Sequence, residues 1–347
     1  MKTNVVMMII TLLVALCLSC TPEVIVRDID KVEADYKKGT DVTPGTSFKD
    51  GGLLFAHMTD KDYGRLFYMV SKDGMVWTSL NDGNKINTKY RGHPDIVKGP
   101  DDKYYMISGI ISGSNEATLF TSEDLITWKT TTTITRAKVW NAKTGYTADG
   151  TYFGAPKLFY DEDSEQWIIT WHATHGATQD FTKMRTLYVL TSDFKTFTKP
   201  EFLFDFQSEE EKDIVTIDVI IRKIGGRYWA IYKDEREQDI APKTYKTIRI
   251  STSDSLTGPY SEPSDPITPH WFEAPTIAQD PNDQSWHIWS ENYPNAYHRF
   301  DIGTMSTTGW RQFSMPLKGV RHGCVVRISQ DEYDALMEAF GPEETEE

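Results

Sequence analysis

Ile217-Asp218-Val219-Ile220-Ile221-Arg222-Lys223-Ile224-Gly225-Gly226-Arg227-Tyr228-Trp229 is the stretch on which the fold turns. A polar opening leads into a run of β-branched residues, a Gly-Gly turn reverses the chain, and an aromatic pair restarts it: two antiparallel strands and their turn. The same order recurs from His93-Pro94-Asp95 to Tyr105, from Ala155-Pro156 to Trp167, from Glu273-Ala274-Pro275 to Trp286, and from His322-Gly323 to Ile328. Measured between Pro94, Pro156, Val219, Pro275 and Gly323, the period is roughly 50 to 60 residues, the spacing of β-propeller blades. The expectation is an all-β chain, a single five-bladed β-propeller over 47–341, with each repeat's opening residues facing a shared centre.

Second signals lie between these motifs. Ser71-Lys72-Asp73-Gly74, Ser122-Glu123-Asp124-Leu125, Ser192-Asp193-Phe194 and Ser253-Asp254-Ser255 each precede an aromatic residue. Such acidic turns suit the outer strands of the blades, so their carboxylates are read as structural. A strand-turn-aromatic unit at 52–81 precedes the first inner motif, and the last inner motif has no complete blade after it. Pairing these ends completes one blade from both termini and removes free sheet edges. A short C-terminal helix is predicted over Asp331–Phe340, capped by Asp331, with Tyr333, Leu336, Met337 and Phe340 on one face. An acidic tail follows at 342–347.

The net charge of −14 lacks the cationic surface that nucleic-acid binding needs. Seventeen Tyr, sixteen Phe and ten Trp suit aromatic strands, and they also suit a saccharide partner, because aromatic faces are apolar platforms for sugar rings. Three cysteines make no disulfide framework, and Cys324, the one in the body, reads as a small buried hydrophobe. Lys2 followed by the apolar stretch Val5 to Leu18 has the form of a secretory signal, too short for a comfortable membrane span. Residues 1–19 are read as a lipoprotein signal peptide, Cys20 as the lipidated first residue, and 20–46 as a tether. The expected product is an exported, monomeric lipoprotein anchored on a periplasmic or cell-surface membrane.

The chemistry is sought where the inner strands open. Asp218 stands between Ile217 and Val219-Ile220-Ile221, an apolar run in which an acid either faces a cavity or is badly desolvated. Glu273 follows Trp271-Phe272, an apolar setting of the kind a general acid needs to keep its proton. Two carboxyl groups converging on a sugar-sized funnel are what glycoside hydrolysis requires.

These motifs resemble family 43 glycoside hydrolases, five-bladed propellers that cleave α-L-arabinofuranosides and β-D-xylosides by inversion; the resemblance runs over about 52–330. Thr216-Ile217-Asp218 and Tyr232-Lys233-Asp234-Glu235 carry it, with Phe272-Glu273-Ala274-Pro275 and Arg321-His322-Gly323. It implies that Glu273 is the acid and that Asp218 tunes and orients it. It also implies that His322 lies at the funnel floor, where it can help hold a calcium ion through water; no other cofactor is implied. Where the family opens its first inner strand with Asp-Pro, supplying the general base, this chain has His93-Pro94 and then Asp95. Strand alternation puts 93 and 95 on one face, so three readings stay open: Asp95 as base with His93 contacting substrate, His93 as base, or a lost base and a non-catalytic surface glycan-binding protein. Trp171, on the strand after Ala155-Pro156, is a candidate sugar contact with packing as its alternative.

Overall fold

The computed structural model describes residues 50–109, 116–139, 146, 153–175, 180–237, 244–280, 285–293, 296–313 and 316–343. The signal, Cys20 and the tether lie outside the described residues. Among the described residues twenty strands follow in chain order. They are β1 (Gly52–Met58), β2 (Phe67–Ser71), β3 (Thr78–Ser79), β4 (Val97–Lys98), β5 (Tyr104–Ile107), β6 (Glu116–Ser122) and β7 (Lys129–Thr135). Next come β8 (Gly154–Asp161), β9 (Gln166–His175), β10 (Asp180–Thr191), β11 (Glu201–Phe202), β12 (Thr216–Ile224), β13 (Arg227–Asp234) and β14 (Thr247–Ser253). The last are β15 (Phe272–Gln279), β16 (Trp286–Asn292), β17 (Ala296–Ile302), β18 (Arg311–Gln312), β19 (Leu317–Lys318) and β20 (Arg321–Ile328).

These strands form five antiparallel sheets: β4-β5-β6-β7, β8-β9-β10-β11, β12-β13-β14, β15-β16-β17-β18 with β19 beside β17, and β20-β1-β2-β3. The last sheet joins both ends of the chain, as the unmatched termini required. Its seam runs from Gly52 opposite Ile328 to Met58 opposite Arg321. Gly323 is needed there, since a Cβ would come within 2.3 Å of the Ala56 carbonyl oxygen.

The ring is visible in the packing. Ile107 and Leu119 of the first blade meet Trp167 and Ile169 of the second. Tyr188 meets Val219 and Tyr228 across the next boundary, and Ile231 and Ile250 meet Phe272 and Ile288 across the third. Ala278 and Trp289 meet Phe55 and Val325, and Tyr68 and Cys324 meet Tyr104 and Phe120. Five apolar interfaces between five sheets close the circle, burying each sheet on both faces.

The outer turns are structural, as expected. Asp73 accepts from the amides of Met75 and Val76, each at 2.8 Å, and Asp124 and Asp193 repeat the pattern. In the third turn the partnering hydroxyl belongs to Thr191, one residue before the predicted Ser192. The C-terminal helix spans Gln330–Phe340 and is capped by Ser329, correcting the expected Asp331. Ser329 accepts from the Glu332 amide while Glu332 accepts from the Ser329 amide, a reciprocal pairing that Asp331 is placed too late to make. Leu336 is fully buried, with Tyr333, Met337 and Phe340 packed beside it against the closing sheet.

Candidate active site

At one end of the channel the inner strands leave regular β geometry. Register shifts fall between Gly154 and Lys157, Ile217 and Ile220, Glu273 and Thr276, and near His322 opposite His57 and Met58. Ala155, Asp218 and Ala274 have φ of 39°, 52° and 48°. Such bulges re-aim a side chain that would otherwise follow the strand alternation, and here they recur at one level. The first blade achieves the same without a ladder, for only Val97–Lys98 pair and residues 93–96 lie outside it.

His93, Asp218 and His322 meet at this level. Asp218 Oδ1 lies 3.9 Å from His93 Nδ1 and its Oδ2 lies 3.8 Å from His322 Nε2. The Ala274 amide donates to Asp218 Oδ2 at 3.3 Å, and the Asp218 amide donates to His172 Nδ1 at 3.4 Å. Burial alone would raise the Asp218 carboxyl, but His322 foremost, then His172, His93 and Lys233, outweigh it and hold the group far below the usual carboxylate range. Burial and the neighbouring His322 push His93 well below 6.5, against the pull of Asp218, so its ring is neutral. Burial likewise lowers His172 to about 4. Burial opposes charge on His322 too, yet Glu291, Glu273 and Asp218 prevail and raise it.

Glu273 is brought to the same centre. Its carboxylate lies 3.4 Å from His322 Nε2, 3.8 Å from Arg321 and 2.6 Å from Lys233 Nζ. Cations therefore replace the apolar setting read from Trp271-Phe272. Lys233 also touches Glu235 at 2.6 Å, and burial of its ammonium is outweighed by the two glutamates, which raise it. Directly opposite Glu273 in the β15–β16 register stands Glu291, fully buried. Two like charges facing across a ladder repel, and Arg321 and His322 of β20 resolve this by inserting their cationic side chains. Arg321 pairs with Glu291, and His322 Nδ1 lies 2.9 Å from it. Behind Lys233, Asp234, Arg236, Glu211 and Arg249 form a buried ion-pair network that fixes the end of β13.

Two sequence expectations need correction. Asp95 is not gathered into the cluster: it is 1% exposed, and Arg222 holds it at 2.8 Å, four residues along β12 from Asp218. The alternation argument assumed a regular strand where the chain runs outside the ladder, so Asp95 lies deeper and His93 takes the mouth. Trp171 is 2% exposed and packs on Phe153 at 5.2 Å, so it offers no face to a sugar. Arg321, Lys233 and Glu235 belonged to motifs that carry the family resemblance but had no role assigned, while Glu291 and Tyr63 gave no signal. Tyr63 Oη is 3.3 Å from His93 Nε2.

His93, Asp218 and His322 could gather ligand atoms on one ion, as could Glu273, Glu291 and His322. Calcium takes six to eight oxygens. The first set offers one carboxylate and two imidazoles, and in the second Lys233 and Arg321 already engage the carboxylates. The residues do not fit calcium.

Fold and site define a five-bladed propeller with a carboxylate and imidazole centre at one end of its channel. The chain belongs to the glycosyl hydrolase 43-related family, whose model, described as a "probable glycosyl hydrolase domain", matches residues 51–334. An α-L-arabinofuranosidase of Bifidobacterium longum is 23% identical over 274 residues, 67% of this chain and 24% of that protein, so the chain spans about a quarter of its length. The family 93 α-L-arabinofuranosidase of Fusarium graminearum, solved with arabinobiose, superposes at a TM-score of 0.52 with 14% identity, over 80% of this chain and 84% of that one. A family 43 β-1,3-galactosidase solved with galactodeoxynojirimycin gives 0.50 with 15% identity, over 68% and 78%. At these identities the likeness is one of fold.

Proposed function

We propose that the chain is an inverting glycosidase acting on α-L-arabinofuranosidic or β-D-xylosidic bonds of plant oligo- and polysaccharides. It would be held outside the cytoplasm by a lipid on Cys20. The observation that carries this reading is the convergence of Glu273, Asp218 and His322 at the mouth of the channel, from three separate blades. Glu273 gives a proton to the leaving oxygen as the glycosidic bond breaks. Water attacks the anomeric carbon from the opposite side and passes its proton to His93. Asp218 faces His93 Nδ1, so the tautomer protonated there makes Nε2 the acceptor, which the Tyr63 hydroxyl 3.3 Å away occupies until the attacking water replaces it. Lys233, 2.6 Å from both Glu235 and Glu273, fixes the position of the Glu273 carboxyl group.

One observation favours glycan binding without turnover: the base position carries an imidazole and no carboxylate. Hydrolysis of aryl arabinofuranoside and xyloside decides between them. Glu273→Gln is expected to lower turnover by about 10²–10⁴-fold with folding intact. Unchanged turnover in that variant removes Glu273 as the acid, and a wild-type protein that binds these sugars without releasing product establishes the binding reading.

A further inference from the structure

Few large apolar side chains are exposed among the described residues, and Tyr63, Trp271 and Tyr293, each 49% exposed, all lie by the site. Arg321, which faces Glu273, has its guanidinium 4.8 Å from the Tyr293 ring and 5.5 Å from the Tyr63 ring. Trp271 precedes Glu273 by two residues, and Lys246, which pairs with Glu235, lies 5.7 Å from its ring.

Trp271 holds its position at a cost. Its φ is 65°, in the left-handed region that a bulky side chain avoids. Three hydrogen bonds impose that backbone: its amide donates to the Tyr245 carbonyl at 3.2 Å, and its carbonyl accepts from the Tyr293 amide at 3.0 Å and from Asn292 Nδ2 at 3.4 Å. The same bonds tie Trp271 to Tyr293, so the two rings are placed by one element. Folding alone would favour Gly or Asn at such a φ, and an exposed indole gains little from burial there. A strained, half-exposed aromatic beside a reacting carboxyl group points to a ligand.

We propose that Trp271 and Tyr293 form an aromatic platform that receives the sugar on the leaving-group side of the scissile bond, making oligosaccharides and chain ends the preferred substrates over simple glycosides. This rests on Glu273 being the general acid: the acid protonates the leaving oxygen, so the departing sugar lies beside it, and the ring two residues before the acid meets that sugar. The C–H face of a pyranose or furanose stacks on the indole, while Arg321 behind Tyr293 is placed to donate to sugar hydroxyl oxygens.

The test is Trp271→Asn, which removes the ring and suits the backbone. The melting temperature is expected to stay level or rise. Arabino-, xylo- and β-1,3-galacto-oligosaccharides serve as probes. For whichever the wild type cleaves, kcat/KM is expected to fall at least tenfold, while the matching glycosyl fluoride, whose leaving group carries no ring, stays within twofold. Unchanged oligosaccharide cleavage overturns the platform, as does an equal fall on both substrates. Calorimetry in a Glu273→Gln background separates this from the hydrolase reading. A tenfold loss of oligosaccharide affinity on adding Trp271→Asn upholds the platform even if the wild type turns nothing over. Equal affinity, or no binding in either background, overturns it.

Discussion

Glu291→Gln keeps the shape of a fully buried side chain and removes its charge. Glu291 accepts from Arg321 Nε and from the His322 amide at 2.9 Å, and it faces His322 Nδ1 at 2.9 Å. In the variant a carboxamide N–H must face one of these donors, leaving buried positive charge uncompensated. Breaking a buried ion pair from one side costs about 3–5 kcal/mol. Arg321 retains Asp60 and Glu273, which puts the expected loss near the lower end, about 3 kcal/mol at neutral pH.

Part of that loss depends on pH. His322 is raised in the folded state, so its contribution is fully present below its unfolded value of about 6.5 and is lost as pH climbs through the folded value. Without Glu291, burial has the upper hand and the ring loses its charge earlier. The stability gap between wild type and variant is therefore widest near pH 5.5 and narrows toward pH 9, by about 1.4 kcal/mol for each pH unit that His322 has been displaced. Urea unfolding followed by tryptophan fluorescence at pH 5.5, 7 and 9 reads this directly. A gap that stays constant with pH, or one below about 1 kcal/mol, would refute the claim that Glu291 charges His322.

Asp95→Asn should cost about 1–3 kcal/mol through the loss of its charged bond to Arg222, yet leave turnover per folded molecule within about threefold. A loss of a hundredfold or more at native stability would return Asp95 to the base role. Gly323→Ala forces a Cβ against the Ala56 carbonyl at the seam of the closing sheet and is expected to lower stability by about 1–3 kcal/mol. An unshifted urea midpoint would mean that the seam is looser than its register indicates.

The ring was legible in the sequence because blades repeat. Each must bury the same hydrophobic faces against two neighbours, so the β-branched runs, Gly turns and aromatic returns recur at nearly constant spacing. The unmatched strands at 52–81 even announced which blade takes both termini. Asp218 and Glu273 stood out for a related reason, being acids in apolar strands that make sense only if they face a cavity. Asp95 misled because alternation holds only where a ladder enforces it, and residues 93–96 lie outside the ladder. Trp171 misled because an aromatic residue on a strand looks alike whether it faces a channel or a neighbouring blade. Glu291, Lys233 and Arg321 surround Glu273 through cross-strand register and contact between blades, and no local pattern encodes such long-range pairing. The chain's own residues determined how many sheets there are and which acids face inward, since burial of apolar surface is written in composition and period. Only the closed ring decided which charges meet, because Coulomb interactions depend on distances in space that bulges and register set after the sheets have formed.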